Sequence, residues 1–518
     1  MKELWVKNFD IKRVDINLPC EATLGFQNMV KKTIGVSPVN ESVWVIKNLD
    51  NTGTYFKKQE LRRVIDLTIK KILSDPSHID SVHKKAVRLN RQLFGESSKV
   101  RKIKLTDLSN RELLALHKKH YALIAKSHMW AIATTWFLDS DGEDYSKYLM
   151  SIIERRLEAE GAPLVRGAPS DAASVFSILT TPAKKSFQQI EEEESLQLVA
   201  AFQSNSKVKK WFTSHSTPEL ARTLDKLTKN FRSRVAKHHY KWLWMPYTYI
   251  GPAYRIDYYL EVWRGLLRQG INPSGEILKK RKRASELQNR RRQIIRQLKL
   301  SAYEKHLFDI AADIVWIKGF RKDCLFYGIY VLDLVLAEIG RRAGLSLIQV
   351  KYLSPYQDIP RIFSDGGFSE LANQRIKFCV LYGVRDKANI YTGRKAAKFL
   401  SGLNFEKIKI VKSDSLTGTC ACPGQALGIA KVVNVPDDIP KMKKGDIMLA
   451  HATYPALVPA MKLAAAIVTE EGGITCHAAI VARELQTPCV VGIKHLLSVL
   501  KDGDKIQVDA NSGVIKKL

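Results

Sequence analysis

Residues 469–492 read TEEGGITCHAAIVARELQTPCVVG. Ala466-Ile467-Val468-Thr469 is a short β-rich run, and Glu470-Glu471-Gly472-Gly473 after it is turn chemistry. Thr475 is a natural helix N-cap, so the spacing predicts a helix over 476–485 with His477 in its first turn. Ala478, Ala479 and Ala482 are small enough to let that helix pack closely. Cys489-Val490-Val491-Gly492 then reads as the next strand. A strand, a tight turn, a helix and a second strand within so few residues predict an α/β domain.

The same texture extends on both sides. Strands are predicted over 426–433, 446–450 and 505–509, with a further helical segment around 456–464. Together these make a compact domain of about 100 residues, with a linker placed near 411–418. Upstream the texture differs. Val43-Trp44-Val45-Ile46 and Thr54-Tyr55-Phe56 flank Asp50-Asn51-Thr52-Gly53 and predict a hairpin. Leu61, Val64, Ile65, Thr68, Ile69 and Ile72 then fall at helical spacing, and Ser74-Asp75-Pro76 stops that helix. From about residue 107 to 400 the dominant period is 3.6. Helices are expected over 110–137, 275–300 and 301–343, another opens on a Ser186–Gln189 capping box, and 161–171 reads as a loop. The fold class expected is multidomain α+β. Residues 1–100 form an α+β segment with a hairpin, 101–410 a basic helical region, and 411–518 the α/β domain.

At 518 residues, two to four domains of ordinary size are expected. The net charge of +31 is unusual, and it is unevenly placed. Residues 411–518 hold 12 basic and 10 acidic residues, whereas 201–300 hold 23 and 6. Such an excess points to polyanions, acidic surfaces or phosphorylated partners. Seven scattered cysteines suit a reduced, cytoplasmic compartment better than a disulfide framework. The first residues, MKELWVKNFDIKR, carry charges where a signal peptide needs an apolar centre. The most apolar run, Cys324 to Ala337, is broken by Asp333, so no membrane association is expected.

A histidine at the start of a helix has a specific use. Its neutral ring nitrogen can attack a phosphoryl group, and the anion formed meets unpaired N–H groups and the positive end of the helix dipole. Adjacent glycines admit a phosphate donor close to the backbone. Alternatively, the segment is a capped helix with an incidental surface histidine. The wider pattern resembles the phosphohistidine swivelling domain of the phosphoenolpyruvate-utilising enzymes, among them phosphoenolpyruvate synthase, pyruvate phosphate dikinase and the rifampin phosphotransferases. Several blocks carry the resemblance over about 415–518. They are Pro423-Gly424-Gln425-Ala426-Leu427-Gly428, Lys444-Gly445-Asp446-Ile447-Met448-Leu449, Thr453-Tyr454-Pro455, Pro459-Ala460-Met461, the core around His477, and Asp502-Gly503-Asp504-Lys505-Ile506 with Val508-Asp509-Ala510. Cys476 stands where that family often has serine.

The resemblance implies a β/β/α swivelling domain in which His477 is transiently phosphorylated and Gly472, Gly473 and Thr475 form its supporting loop. It implies a transferase or kinase component. In the family an ATP-grasp domain donates to the histidine, and in the synthases and dikinases a barrel after the swivelling domain receives the phosphoryl group. Neither is recognised in this sequence, which shows no P-loop or GxGxxG. The expectation is therefore that ATP with Mg²⁺, or phosphoenolpyruvate, acts through an ATP-grasp-type partner and that no cofactor is held by the chain itself. Tyr240-Lys241-Trp242-Leu243 with Gly251-Pro252, and the helix from Arg321 to Leu345 followed by Ile348 to Ile359, resemble the helical acceptor region of the rifampin-phosphotransferase type.

Other constellations have ordinary readings beside functional ones. The aromatics from His238 to Tyr247, with Tyr249, Tyr254, Tyr258, Tyr259 and Trp263, could line a pocket or stack bases, but suit the edge of a helical core better. Lys279-Lys280-Arg281-Lys282-Arg283 and Arg290-Arg291-Arg292 make 279–292 a basic helix that would contact nucleic acid or an acidic partner, or be a solvated face. His117 and His120 lack further ligands for a metal, Cys420 and Cys422 do not by themselves make a zinc site, and no metal is expected. Asp309 and Asp313 could hold Mg²⁺ or act as a base, but pair more readily with Lys305 or Lys318. Two further functions stay open: a non-catalytic binding protein with a retained swivelling domain, and a phosphocarrier with a protein as acceptor.

Overall fold

The computed structural model describes residues 3–11, 15–16, 31, 33, 35, 39–47, 51–135, 144–160, 172–384, 387–406, 415–453, 457–473 and 476–518. Its strands are β1 (Leu4–Ile11), β2 (Glu41–Lys47), β3 (Asn51–Lys57), β4 (Phe378–Val384), β5 (Lys387–Thr392), β6 (Asn404–Phe405), β7 (Ser415–Thr417), β8 (Thr419–Cys422), β9 (Gln425–Val432), β10 (Ile447–Ala450), β11 (Ala466–Thr469), β12 (Cys489–Val491), β13 (Lys505–Asp509) and β14 (Val514–Lys517). The helices, in chain order, are α1 (Lys58–Ser74), α2 (Pro76–Val100), α3 (Asn110–Thr135), α4 (Asp144–Glu160), α5 (Ala172–Thr180), α6 (Phe187–Gln203), α7 (Ser206–Ser214), α8 (Thr217–Arg222), α9 (Lys229–Trp242), α10 (Ile256–Arg268), α11 (Pro273–Gln297), α12 (Ala302–Ala343), α13 (Leu347–Lys351), α14 (Phe368–Lys377), α15 (Gly393–Ser401), α16 (Val458–Met461), α17 (His477–Leu485) and α18 (Leu496–Val499).

Two compact units divide the chain. One comprises 1–147, 248–251 and 317–411; the other 148–247, 252–316 and 412–518. Residues 101–410 thus contribute to both.

In the first unit a sheet runs in the order β5-β4-β2-β3-β1-β6. The β-branched run of β2 makes it central: Val43 and Ile46 are fully buried, and Cys379 of β4, opposite Ile46, is equally buried. Removing each such side chain from water stabilises the fold by about 1.5–3 kcal/mol. The hairpin is present, but Asn51, Thr52 and Gly53 lie inside β3 rather than in its turn, with Gly53 opposite Val45. The glycine there answers to space, since a Cβ would come within 3.0 Å of the Tyr55 ring.

The predicted stop at Ser74-Asp75-Pro76 is a junction. Asp75 accepts from the His78 amide and caps α2, which starts on Pro76. Further along, Lys351 is fully buried between Asp15 and Asp333 and donates to the Tyr249 carbonyl. His117 and His120 belong to the core, where burial pushes His117 down to about 4 and the His120 ring contacts the Gly328 carbonyl.

The helical part of the second unit includes the capping box that opens α6: Ser186 accepts from the Gln189 amide, and Gln189 accepts from Ser186 in return. The aromatic segment is core. Trp242, Trp244, Tyr259 and Trp263 are fully buried, and Tyr240 is exposed. Asp309 pairs with Arg291 and Lys305, and Asp313 with Lys184. The 161–171 segment lies outside the described residues.

The remainder of this unit is a sheet in the order β7-β14-β13-β9-β10-β11-β12-β8. Strands β9 to β12 are parallel neighbours, flanked by antiparallel pairs. Side chains alternate between two cores. Met448, Ala450 and Ile467 pack with α17; Ile447, Leu449, Ala466 and Val468 pack with Leu496 of α18. Burial on both faces is what the continuous apolar runs of a parallel sheet require. The expected linker needs revision at its end, because Ser415–Thr417 is β7, paired with β14. Residues 407–414 lie outside the described residues.

Candidate phosphohistidine site

Parallel strands β10 and β11 end side by side, and their outgoing loops stay paired. The Glu470 amide donates to the Ala450 carbonyl, and the Glu471 amide to that of His451. The C-terminal edge of a parallel sheet is where α/β folds gather ligands and chemistry. Helix α17 starts here, and His477 is its first residue.

The cap differs from the expectation. Cys476 occupies the N-cap, and its sulfur accepts from the Ala479 amide at 3.5 Å. Thr475 lies outside the described residues. Gly473 is buried, and its carbonyl accepts from the Cys476 amide. Gly472 has φ +116°, which L side chains rarely adopt, and a Cβ there would lie 2.7 Å from the Cys476 sulfur. Gly472 thus lets the loop fold against the cap that carries His477.

Among the described residues, Thr453, buried in the loop after β10, contacts the His477 ring. Its Oγ1 lies 2.8 Å from Nδ1 of His477. With Nδ1 engaged by this hydroxyl, a neutral ring that donates from Nδ1 carries its lone pair on Nε2. Thr453 belongs to a block that supported the family resemblance. Its hydroxyl partner was not legible, because two chain segments must meet to make the contact.

Beside it, His451 ties the loops together. Nδ1 hydrogen-bonds Glu470 at 3.3 Å. Nε2 lies 3.3 Å from Glu471, an ion-pair distance off the line of a hydrogen bond. Burial opposes charge on this ring, but the two carboxylates outweigh it and push His451 up to about 10. The imidazolium and its two acids leave this loop pair with a net negative charge. Arg483, on the same helix as His477, is half-buried and donates to the Ala421 carbonyl at 2.8 Å, fastening α17 to β8. Among the described residues no cluster of three or more His, Cys, Asp or Glu could hold a metal ion. No helix among them is long and apolar enough to cross a membrane.

Chemically, the arrangement presents an imidazole at a helix N-terminus, with one ring nitrogen held and small residues beneath it. That suits transient binding of a phosphoryl group by the ring.

Residues 442–513 match the family described as PEP-utilising enzyme, mobile domain. A probable phosphoenolpyruvate synthase of Archaeoglobus fulgidus is 53% identical over 100 residues, 19% of this chain and 13% of that protein. A probable phosphoenolpyruvate synthase of Methanothermobacter thermautotrophicus is 35% identical over 163 residues, 30% and 24% respectively. The phosphoenolpyruvate synthase of Pyrococcus furiosus is 50% identical over 102 residues, 20% and 12%. The chain therefore matches less than a quarter of the length of each of these relatives. Residues 442–513, the part matched to the family, include the sheet edge that carries His477, and this C-terminal part is a mobile domain of the PEP-utilising enzyme type, a phosphohistidine-carrying phosphotransferase type of domain.

Proposed function

We propose that the protein is a phosphotransferase component in which His477 carries a phosphoryl group from a donor on a separate protein to an acceptor on the helical region. The observation that carries this reading is the Thr453 hydroxyl on Nδ1 of His477 at the N-terminus of α17. Nε2 attacks the phosphorus in line. An N–P bond forms as the donor's P–O bond breaks, and the leaving oxygen takes the bonding pair. Thr453 keeps the Nδ1 proton in place as the ring becomes positive, and the first amides of α17 face the new anion. Delivery reverses the step: an acceptor oxygen attacks the phosphorus, and the ring leaves neutral once more. ATP with Mg²⁺, or phosphoenolpyruvate, enters on the donor protein, of ATP-grasp type.

The test is to incubate wild-type and His477→Ala protein with labelled ATP or phosphoenolpyruvate, with and without host lysate. Acid-labile, alkali-stable label on wild type and none on the variant supports the reading. A folded wild-type protein that takes no label under any condition removes it.

One observation favours a second reading, a nucleic-acid-binding protein. Residues 281–286 of α11 are exposed on every face, although Arg281, Lys282 and Arg283 lie among them. A salt-dependent affinity for RNA or DNA that survives His477→Ala would support it.

A further inference from the structure

Within the second unit the helical part and the mobile domain meet at a small charged cluster. Glu192 of α6 is the hub. One carboxylate oxygen contacts Lys280 of α11, and the other lies 3.4 Å from Lys462, the residue that follows α16. Three residues earlier on α6, Gln189 donates to Glu484 of α17 at 2.9 Å. Because the Gln189 carbonyl oxygen also accepts from the Ser186 amide, its amide group is aimed rather than loose. Glu484 lies seven residues after His477, two helical turns along α17, so both share one face about 10 Å apart. The contact therefore presents the His477 face of α17 to the helical part.

The cluster balances two acids against two lysines. Partial burial works against ionisation of Glu192, but Lys462 and Lys280 hold it below the ordinary carboxylate range. Lost hydration first, then the Glu192 charge, push Glu484 up to about 7, although its side chain stays exposed and water screens part of the effect.

We propose that Glu192, bridging Lys280 and Lys462, and the Gln189–Glu484 hydrogen bond form the dock at which the helical part receives the phosphohistidine domain. This rests on the carrier reading for its purpose, but not for its existence. It also gives Lys280, from the basic stretch of α11, a task inside the molecule. Exposed and half-buried polar side chains carry these contacts, so they can be made and broken repeatedly, as delivery requires.

The experiment uses the full chain and a water-soluble carbodiimide, which joins an amine to a carboxylate only where they touch. Cross-linked peptides are read by mass spectrometry, and backbone hydrogen exchange is followed over 187–195 and 458–463. Wild type is expected to give a Glu192–Lys462 cross-link that fades in high salt. Glu192→Lys abolishes it and speeds exchange in both segments by roughly tenfold. The swap Glu192→Lys with Lys462→Glu restores cross-link and protection. Glu192→Gln, which adds no repulsion but leaves no carboxylate for the reagent, is read by exchange alone; it gives an intermediate rate and covers the case in which Glu192→Lys fails to fold. No cross-link in wild type, or exchange in Glu192→Gln and the swap equal to wild type throughout, overturns the dock. His477→Ala keeps the cross-link, so an intact dock without phosphorylation sinks the carrier reading alone.

Discussion

Replacing Thr453 with valine tests how His477 is held. Valine keeps the shape and removes the hydroxyl that lies 2.8 Å from Nδ1. A hydrogen bond of this kind contributes about 0.5–1.5 kcal/mol net, and His477, half-buried, can find water in its place. At 1.36 kcal/mol per factor of ten, the rate of phosphorylation at Nε2 should fall by roughly 2–10-fold. The direction follows from the tautomer. Without Thr453 the ring loses the hydroxyl that favours a proton on Nδ1, the balance shifts toward Nε2–H, and more of the lone pair moves to the wrong nitrogen. Phosphoramidate serves as a small chemical donor, so no partner is needed, and NMR of the phosphorylated ring reports which nitrogen carries phosphorus. Wild type and Thr453→Ser should be modified at Nε2; Thr453→Val should be slow and mixed. A valine variant with wild-type rate and wild-type nitrogen would refute the reasoning.

Three more expectations concern the surroundings. His451, pushed up to about 10 in the fold, stabilises the folded state fully below its unfolded value of about 6.5, and this is lost as pH rises through 10. Thermal melts of wild type and His451→Gln should therefore differ most at or below pH 6, by on the order of 2 kcal/mol, and converge by pH 10–11; a gap that widens with pH contradicts the clamp. Gly472→Ala must hold a side chain at φ +116° against the Cys476 sulfur, so it should lose about 1–3 kcal/mol in urea titration and phosphorylate poorly, whereas a neutral result would remove the need for glycine. In the first unit, Lys351→Met removes the cation between the buried Asp15 and Asp333, and a loss of about 3–5 kcal/mol is expected, reduced when Asp333→Asn is added; additive losses would show that the three do not act together.

The sheet of the mobile domain was legible because β-branched runs such as 466–469 and 489–491 are punctuated by Gly and Pro, and burial on both faces makes those runs continuous. That His477 opens a helix was legible because a helix start has a sequence signature. The cap itself was displaced by one residue: threonine outranks cysteine as a cap by intrinsic preference, but the backbone at Gly472 places the Cys476 sulfur over the helix end. Gly53 was read as a turn because glycine has two uses, and here the Tyr55 ring needs the space. Thr453, His451 and Arg483 act through contacts between separate segments, which periodicity does not encode. The cluster around Glu192 draws on three stretches of chain, and in sequence each lysine there looks like any other on a basic protein.

The most direct test of the central claim is to isolate the protein from its own cells under alkaline conditions and map the modified residue by mass spectrometry. The account predicts a phosphoryl group on the peptide that carries His477, lost on mild acid treatment. A phosphoryl group confined to another residue, or none on protein taken from actively growing cells, would contradict it.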